Sequence, residues 1–226
     1  MAKKPKKHQK TASEALADLK EGNLRFYKEN FNDPKHDDAH RNAKRRKELV
    51  GGQLPWAVVL SCADSRVPPE LIFDCGLGEI FTIRVAGNIA NTESIGSIEY
   101  AVDKKLGGIG TNLVVVLGHE GCGAVDAAIK SAAGAKPLNL GRHLNGLLSY
   151  ITPAVHRLSP TQIREFDNSS LSKSEKKKTL NKAIKLNAQN SVAELKSMSP
   201  FLNKRGFKIV PAVYSLSTGK VKFFDK

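Results

Sequence analysis

The chain has 226 residues, of which 40% are hydrophobic and 26% charged. This composition is typical of a soluble globular protein and excludes a disordered, collagen-like or coiled-coil chain. We expect a basic flexible leader at residues 1–10 and a single domain over 11–226. Since no apolar run approaches the roughly 20 residues that a membrane helix needs, we expect no membrane span.

Basic residues give the chain a formal net charge of +14. Such a charge would favour nucleic acid or an anionic membrane as a partner if it were gathered on one folded surface. The lysines and arginines instead cluster at 3–10, 44–47 and 173–178, outside the apolar segments. This distribution is typical of solvated surface, so we expect no nucleic-acid partner.

The cysteines are Cys62, Cys75 and Cys122. They are too few and too widely spread for a disulfide framework, so a reducing compartment is the simplest expectation. We predict a cytoplasmic protein, and a periplasmic location would require that a signal peptide has been removed.

The amino-terminal part predicts one amphipathic helix. Thr11 or Ser13 can cap it, and residues 31–50 are charged and irregular by comparison. The apolar face of this helix includes Leu16, Leu19 and Phe26.

Three short apolar runs then alternate with helical patterns. The runs at 56–61, 79–85 and 112–118 predict buried strands. The stretches around 68–74 and 93–105 can supply crossover helices, and a further helix begins at 122–133. Strands linked by helices favour parallel pairing.

The carboxyl-terminal part is largely helical. Apolar positions between 140 and 151 share one helical spacing that Pro153 interrupts, and a polar linker near 167–178 leads into a helix over about 175–198. The segments 207–216 and 220–224 predict a closing hairpin. The predicted fold is α/β, with a mostly parallel central sheet flanked by helices, an N-terminal helical arm and a C-terminal edge hairpin.

Cysteine and histidine follow two of the predicted strands. Cys62 comes directly after the first strand, and His119 and Cys122 follow the third. Sites assemble outside the carboxyl ends of parallel strands, so neighbouring strands would bring these side chains together. Two thiolates and an imidazole suit Zn²⁺ and leave a fourth position for water or substrate. Taken singly, each residue could equally be a small core thiol or a hydrogen-bonded loop histidine.

Asp64 and Arg66 lie beside the first of these cysteines. They could form an ordinary loop salt bridge, or a carboxylate–guanidinium pair beside an open metal position. A carboxylate held by the arginine can accept a hydrogen bond from zinc-bound hydroxide, whereas a released carboxylate could occupy the metal itself. The pair therefore suggests an on/off switch.

Two segments carry a family resemblance: CADSRVPPE at 62–70 and GHEGCGAV at 118–125 resemble the signature segments of the β-class carbonic anhydrases. Further similarity lies at 19–26, 84–91 and 212–224. The resemblance implies one Zn²⁺ per chain, held by Cys62, His119 and Cys122, with Asp64 and Arg66 as the catalytic gating pair. It also implies reversible hydration of carbon dioxide to bicarbonate and a proton, and a homodimer or a higher even homo-oligomer.

Some positions depart from the family pattern or leave a role open. Val59 stands where a bicarbonate-inhibited subgroup has tryptophan, so that anion pocket is not expected despite Arg84. Cys75 stands where relatives often have glutamine, and we expect a buried core residue there rather than a third thiolate ligand. Four histidines, more typical of surface or helix positions, could relay protons: His36, His40, His143 and His156.

Two other functions remain open. The same metal centre could hydrolyse carbonyl sulfide or carbon disulfide, since such hydrolases share the ligand pattern. A non-catalytic basic zinc protein that binds nucleic acid is the third hypothesis. For the carbonic anhydrase, we expect activity that rises towards alkaline pH, because two thiolates make a zinc-bound water harder to ionise than three imidazoles do.

Overall fold

The computed structural model describes residues 9–30, 32–33, 41–104, 109–134, 140–168, 171–203 and 206–225. The helices in chain order are α1 (Ala12–Tyr27), α2 (Ala43–Glu48), α3 (Pro69–Ile72), α4 (Thr92–Val102), α5 (Gly123–Ala133), α6 (Gly141–Ser149), α7 (Thr152–Val155), α8 (Pro160–Glu165) and α9 (Lys173–Met198). The strands are β1 (Ala57–Ser61), β2 (Ile80–Arg84), β3 (Leu113–His119), β4 (Lys208–Tyr214) and β5 (Val221–Phe223).

The described strands form one five-stranded sheet in the order β2-β1-β3-β4-β5. The first four are parallel, and β5 pairs antiparallel with β4. This confirms the α/β prediction with its mostly parallel sheet and closing hairpin. β1 and β3 are buried along their whole length, because neighbouring strands cover both edges and helices cover both faces.

Alternate residues of the central strands face opposite cores. Val59 and Leu117 belong to a cluster that also contains residues of α1 and α5, whereas Val58 and Leu60 join residues of α4 and the second half of α9. Full burial of such a side chain contributes about 1.5–3 kcal/mol. Both cores therefore hold β1 and β3 rigidly, and with them the residues at their carboxyl ends.

The predicted N-terminal helix is α1, and Thr11 rather than Ser13 caps it. The Thr11 hydroxyl accepts from the backbone N–H of Glu14, whose carboxylate accepts in turn from Thr11. Leu16 and Leu19 are buried in the core that faces α5. Residues 1–8 of the predicted leader lie outside the described residues.

Two local predictions differ from the structure. The region 31–50, predicted to be irregular, contains α2. Asn42 caps this helix by accepting a hydrogen bond from the N–H of Arg45, and the Arg45 side chain donates to the Leu77 carbonyl. The helix has no buried residues, so the cap and this distant contact stabilise it. The helix predicted around 68–74 is only the single turn of α3, which begins at Pro69.

Pro211 lies inside β4, which has a neighbour on each side. Its carbonyl accepts from Phe224, on the β5 side. In a β-strand, the N–H and C=O of one residue point to the same side. The N–H that proline lacks would therefore also face the β5 side, where β5 has already ended. The hydrogen bonds between β4 and β3 do not require an N–H at this position.

Among the helices of the described residues, none combines the length and apolar character needed to cross a bilayer.

Candidate metal centre

The carboxyl ends of β1 and β3 bring the three predicted ligands together. Cys62 follows β1 directly, His119 is the last residue of β3, and Cys122 is the N-cap of α5. Their ligand atoms all lie within 4.8 Å of one another. The side chains are buried, with exposed fractions of 5% for Cys62, 0% for His119 and 1% for Cys122. Parallel pairing of β1 with β3 produces this juxtaposition.

The His119 ring has a defined orientation. Its Nδ1 lies 3.0 Å from the Glu120 carbonyl oxygen. Because a carbonyl can only accept, Nδ1 must carry the proton, and Nε2 is left with its lone pair. Among the described residues this buried Nε2 has no hydrogen-bond partner. A buried acceptor without a partner costs free energy, and a metal ion would satisfy it.

The two thiols are electrostatically unequal. Hydrogen bonding with the Cys122 thiol is the main cause that lowers the pKa of Cys62, and the N–H of Gly87, which donates to the Cys62 sulfur at 3.3 Å, lowers it further. The hydrogen bond with Cys62 and then burial raise the pKa of Cys122, and the negative charge on Cys62 raises it further. A divalent cation would favour both thiolates. Tetrahedral zinc with Zn–S bonds of about 2.3 Å separates two sulfurs by about 3.8 Å, so the donor set and its spacing fit zinc.

Two glycines allow this close approach. Gly87 has φ +71°, and a Cβ there would lie 2.6 Å from Ile151 Cδ1. Gly121, with φ +68°, lets the chain turn between Glu120 and Cys122.

Asp64 and Arg66 form the predicted carboxylate–guanidinium pair. Arg66 donates to Asp64 through Nε at 2.9 Å and Nη2 at 2.6 Å, and its backbone N–H donates as well. These contacts hold the pKa of Asp64 well below its usual range. One carboxylate oxygen lies 3.9 Å from His119 Nε2. The carboxylate is therefore beside the cluster, ionised and held by the arginine.

Arg84, at the end of β2, holds the loop that carries Cys62 and Asp64. Its Nε donates to the Cys62 carbonyl at 3.1 Å, and Nη2 donates to the Asp64 carbonyl at 2.5 Å. The sequence linked Arg84 only to an anion pocket. The signal that the sequence did contain was a basic residue near the end of a predicted strand.

Glu120 has contacts that the sequence did not predict. Its carboxylate accepts from Lys177, Ser215 and Ser217. Lys177 and then these serines lower the pKa of Glu120 to about 2. Nothing local in the sequence indicates these contacts, because the partners are more than fifty positions away along the chain.

The other residues singled out from the sequence are not among the three clustered ligands, or lie outside the described residues. Cys75 is buried in the core, as expected, and donates to the Phe73 carbonyl. Val59 is fully buried in β1. His143 and His156 are exposed on or next to short helices, whereas His36 and His40 lie outside the described residues.

Comparison with known proteins points to one family. The family model described as "Carbonic anhydrase" matches residues 57–221. Carbonic anhydrase 2 of Mycobacterium tuberculosis is 41% identical over 143 residues, which cover 63% of this chain and 60% of that protein. Carbonic anhydrase of Mycolicibacterium smegmatis is 43% identical over 113 residues, half of each chain. The chain thus spans three fifths or less of these two relatives.

Solved structures share the fold. The Coccomyxa β-carbonic anhydrase, solved in complex with acetazolamide, is 25% identical, with a TM-score of 0.63 over 92% of this chain and 86% of that one. A Sordaria macrospora β-carbonic anhydrase described as tetrameric is 22% identical, with a TM-score of 0.65 over 84% and 90% of the two chains. With a family match that runs from the first residue of β1 to the first residue of β5, the chain belongs to the β-class carbonic anhydrases.

Proposed function

We propose that this protein is a zinc enzyme that catalyses the reversible hydration of carbon dioxide to bicarbonate and a proton. Cys62, His119 and Cys122 would hold one Zn²⁺ per chain. The observation that carries the proposal is the buried His119 Nε2, which has no partner among the described residues and lies within 4.8 Å of two thiol sulfurs, in a chain of this family.

When bound there, zinc would act as a Lewis acid that lowers the pKa of water and so supplies the nucleophile for carbon dioxide. Asp64 would accept a hydrogen bond from that water and orient it, since its oxygen lies 3.9 Å from Nε2. Arg66 would keep this carboxylate ionised and prevent it from binding the metal itself. The Arg66 side chain is 56% exposed, so the released proton can pass to solvent buffer on this side.

The test is stopped-flow hydration of carbon dioxide on purified protein with measured metal content. We expect about one zinc per chain, and activity that disappears when a chelator removes the metal and returns with added zinc. Full activity in zinc-free protein would contradict the proposal. If sulfide release from carbonyl sulfide or carbon disulfide exceeded carbon dioxide turnover, one of these two compounds would be the substrate instead.

The assembly we propose is a homodimer or a higher even homo-oligomer. The Sordaria neighbour described as tetrameric supports it. Val50 is 82% exposed, and Leu77, three residues before the edge strand β2, is 39% exposed. Burial of such exposed apolar side chains would favour contacts between subunits. Light scattering coupled to gel filtration would measure the mass, and a monomer at micromolar concentration would contradict this assembly.

A cytoplasmic location also belongs to the proposal. All three cysteines are free thiols, and zinc-binding thiolates persist most readily where thiols stay reduced. Fractionation of the source cells, with the protein detected by antibody, would test it.

A further inference from the structure

We propose that Glu120 is a positioning residue for the metal ligand His119. This inference rests on the proposed zinc function. The Glu120 side chain fixes the turn at Glu120 and Gly121, and the Glu120 carbonyl holds the imidazole so that Nε2 is directed at the metal. Glu120 itself contacts neither metal nor substrate.

The Glu120 carboxylate joins three segments of the chain. Lys177 of α9 donates to one oxygen at 2.6 Å. The connection between β4 and β5 supplies the other donors: the Ser215 hydroxyl at 3.1 Å, and the hydroxyl and N–H of Ser217 at 3.2 and 3.4 Å. The side chain is only 16% exposed, so water competes weakly for these bonds.

The backbone of Glu120 is tied at the same place. Its N–H donates to the Tyr214 carbonyl at 2.8 Å, and its own carbonyl accepts from His119 Nδ1. The peptide that carries this carbonyl is followed by Gly121, which has φ +68°. Glycine accepts φ of either sign, so this peptide can rotate at low cost unless Glu120 is restrained. The anchored side chain supplies that restraint.

A carboxylate suits this position better than another polar group. Four donors from Lys177, Ser215 and Ser217 converge on it, and only a carboxylate has enough lone pairs to accept from all of them. A glutamine would offer one oxygen and turn an NH₂ group towards these donors. Glu120→Gln should therefore weaken the restraint, and Glu120→Ala should remove it.

The experiment measures zinc affinity by competition with a chromophoric chelator in the full-length protein. We expect Glu120→Ala to weaken zinc binding by about 10–100-fold, the usual effect of losing a group that orients a ligand, with Glu120→Gln in between. The control is Asp225→Asn, which breaks a carboxylate–lysine pair with Lys20 at 2.8 Å and should leave zinc affinity within about twofold.

A second readout separates positioning from stability. The visible absorption of the cobalt-substituted protein reports ligand geometry, and we expect it to change in Glu120→Gln but not in Asp225→Asn. The inference would be overturned if both Glu120 variants kept the zinc affinity and the cobalt spectrum of the wild-type protein. It would also be overturned if the losses of affinity only followed lower melting temperatures of the zinc-free proteins. Failure of the wild-type protein to bind zinc would instead contradict the proposed function.

Discussion

The two ends of the parallel sheet use their polar groups differently. At the amino ends of the strands, the Pro55 carbonyl accepts from Gln9 and from the buried Thr111 hydroxyl, and Asn112 donates to the Lys10 carbonyl. These bonds fasten the start of the described chain to the loops that precede β1 and β3. These hydrogen bonds contribute to the stability of the fold.

At the carboxyl ends, part of the polar chemistry is left available. His119 Nε2 has no partner among the described residues, and two thiols lie beside it. The neighbouring side chains of Arg84 and Glu120 are hydrogen-bonded, and they hold the two loops that carry the ligands. The carboxyl end of the sheet is therefore organised around the ligand atoms. Substitutions there should affect metal and turnover, whereas those at the amino end should affect stability alone.

The largest effect should come from a ligand itself. Cys62→Ser or His119→Ala should lose zinc and activity together, because two remaining donors hold a metal ion poorly. Activity should lose most of the at least ~10⁶-fold acceleration that is usual for enzymes. Metal analysis after dialysis, with stopped-flow hydration, is the measurement, and Cys75→Ala is the matched control because its thiol lies in the core. Zinc lost from Cys75→Ala but kept in Cys62→Ser would contradict the assignment of Cys62 as a ligand.

Asp64→Asn should separate turnover from metal binding. The amide keeps the shape of the carboxylate but loses its charge and part of its bonding to Arg66. We expect zinc to stay near one per chain and turnover to fall about 100-fold, in the range for a lost proton-handling group. Hydration rates normalised to zinc content test this, and unchanged turnover would remove Asp64 from the mechanism.

Arg84→Lys tests the contacts that hold the loop after β1. A lysine cannot reproduce the two bonds that the guanidinium makes to the Cys62 and Asp64 carbonyls. We expect zinc affinity or turnover to fall about 10-fold. Arg45→Lys is the matched control, because Arg45 also donates to a backbone carbonyl, that of Leu77, away from the cluster. Equal effects in both variants would mean that Arg84 has only a structural role.

Thr111→Val tests the amino end. It removes a buried hydroxyl that donates to the Pro55 carbonyl at 3.0 Å. We expect a loss of about 1–2 kcal/mol in the free energy of unfolding, with zinc affinity and turnover per zinc unchanged. Urea denaturation and chelator competition measure the two quantities. A loss of zinc affinity as large as that of Arg84→Lys would abolish the distinction between the two ends.

The sequence predicted what depends on local patterns. Apolar runs located the first three strands to within one residue at each end, and the position of Cys62, His119 and Cys122 after strand ends indicated that they would meet. The contacts of Glu120 depend on residues up to 97 positions away, and no local pattern reports them. The contacts of Arg84 require knowing that β2 lies beside β1. The short helix α2 was missed because it buries no residue.

X-ray absorption at the zinc edge of the purified protein would measure the ligand set of the proposed metal centre. We expect two sulfur neighbours at about 2.3 Å and one histidine nitrogen at about 2.0–2.1 Å, with a light atom in the fourth position. The nitrogen contribution from histidine should disappear in any zinc retained by His119→Ala. A purified protein without stoichiometric zinc, or zinc surrounded by four sulfurs or by oxygen and nitrogen only, would contradict a zinc site formed by Cys62, His119 and Cys122.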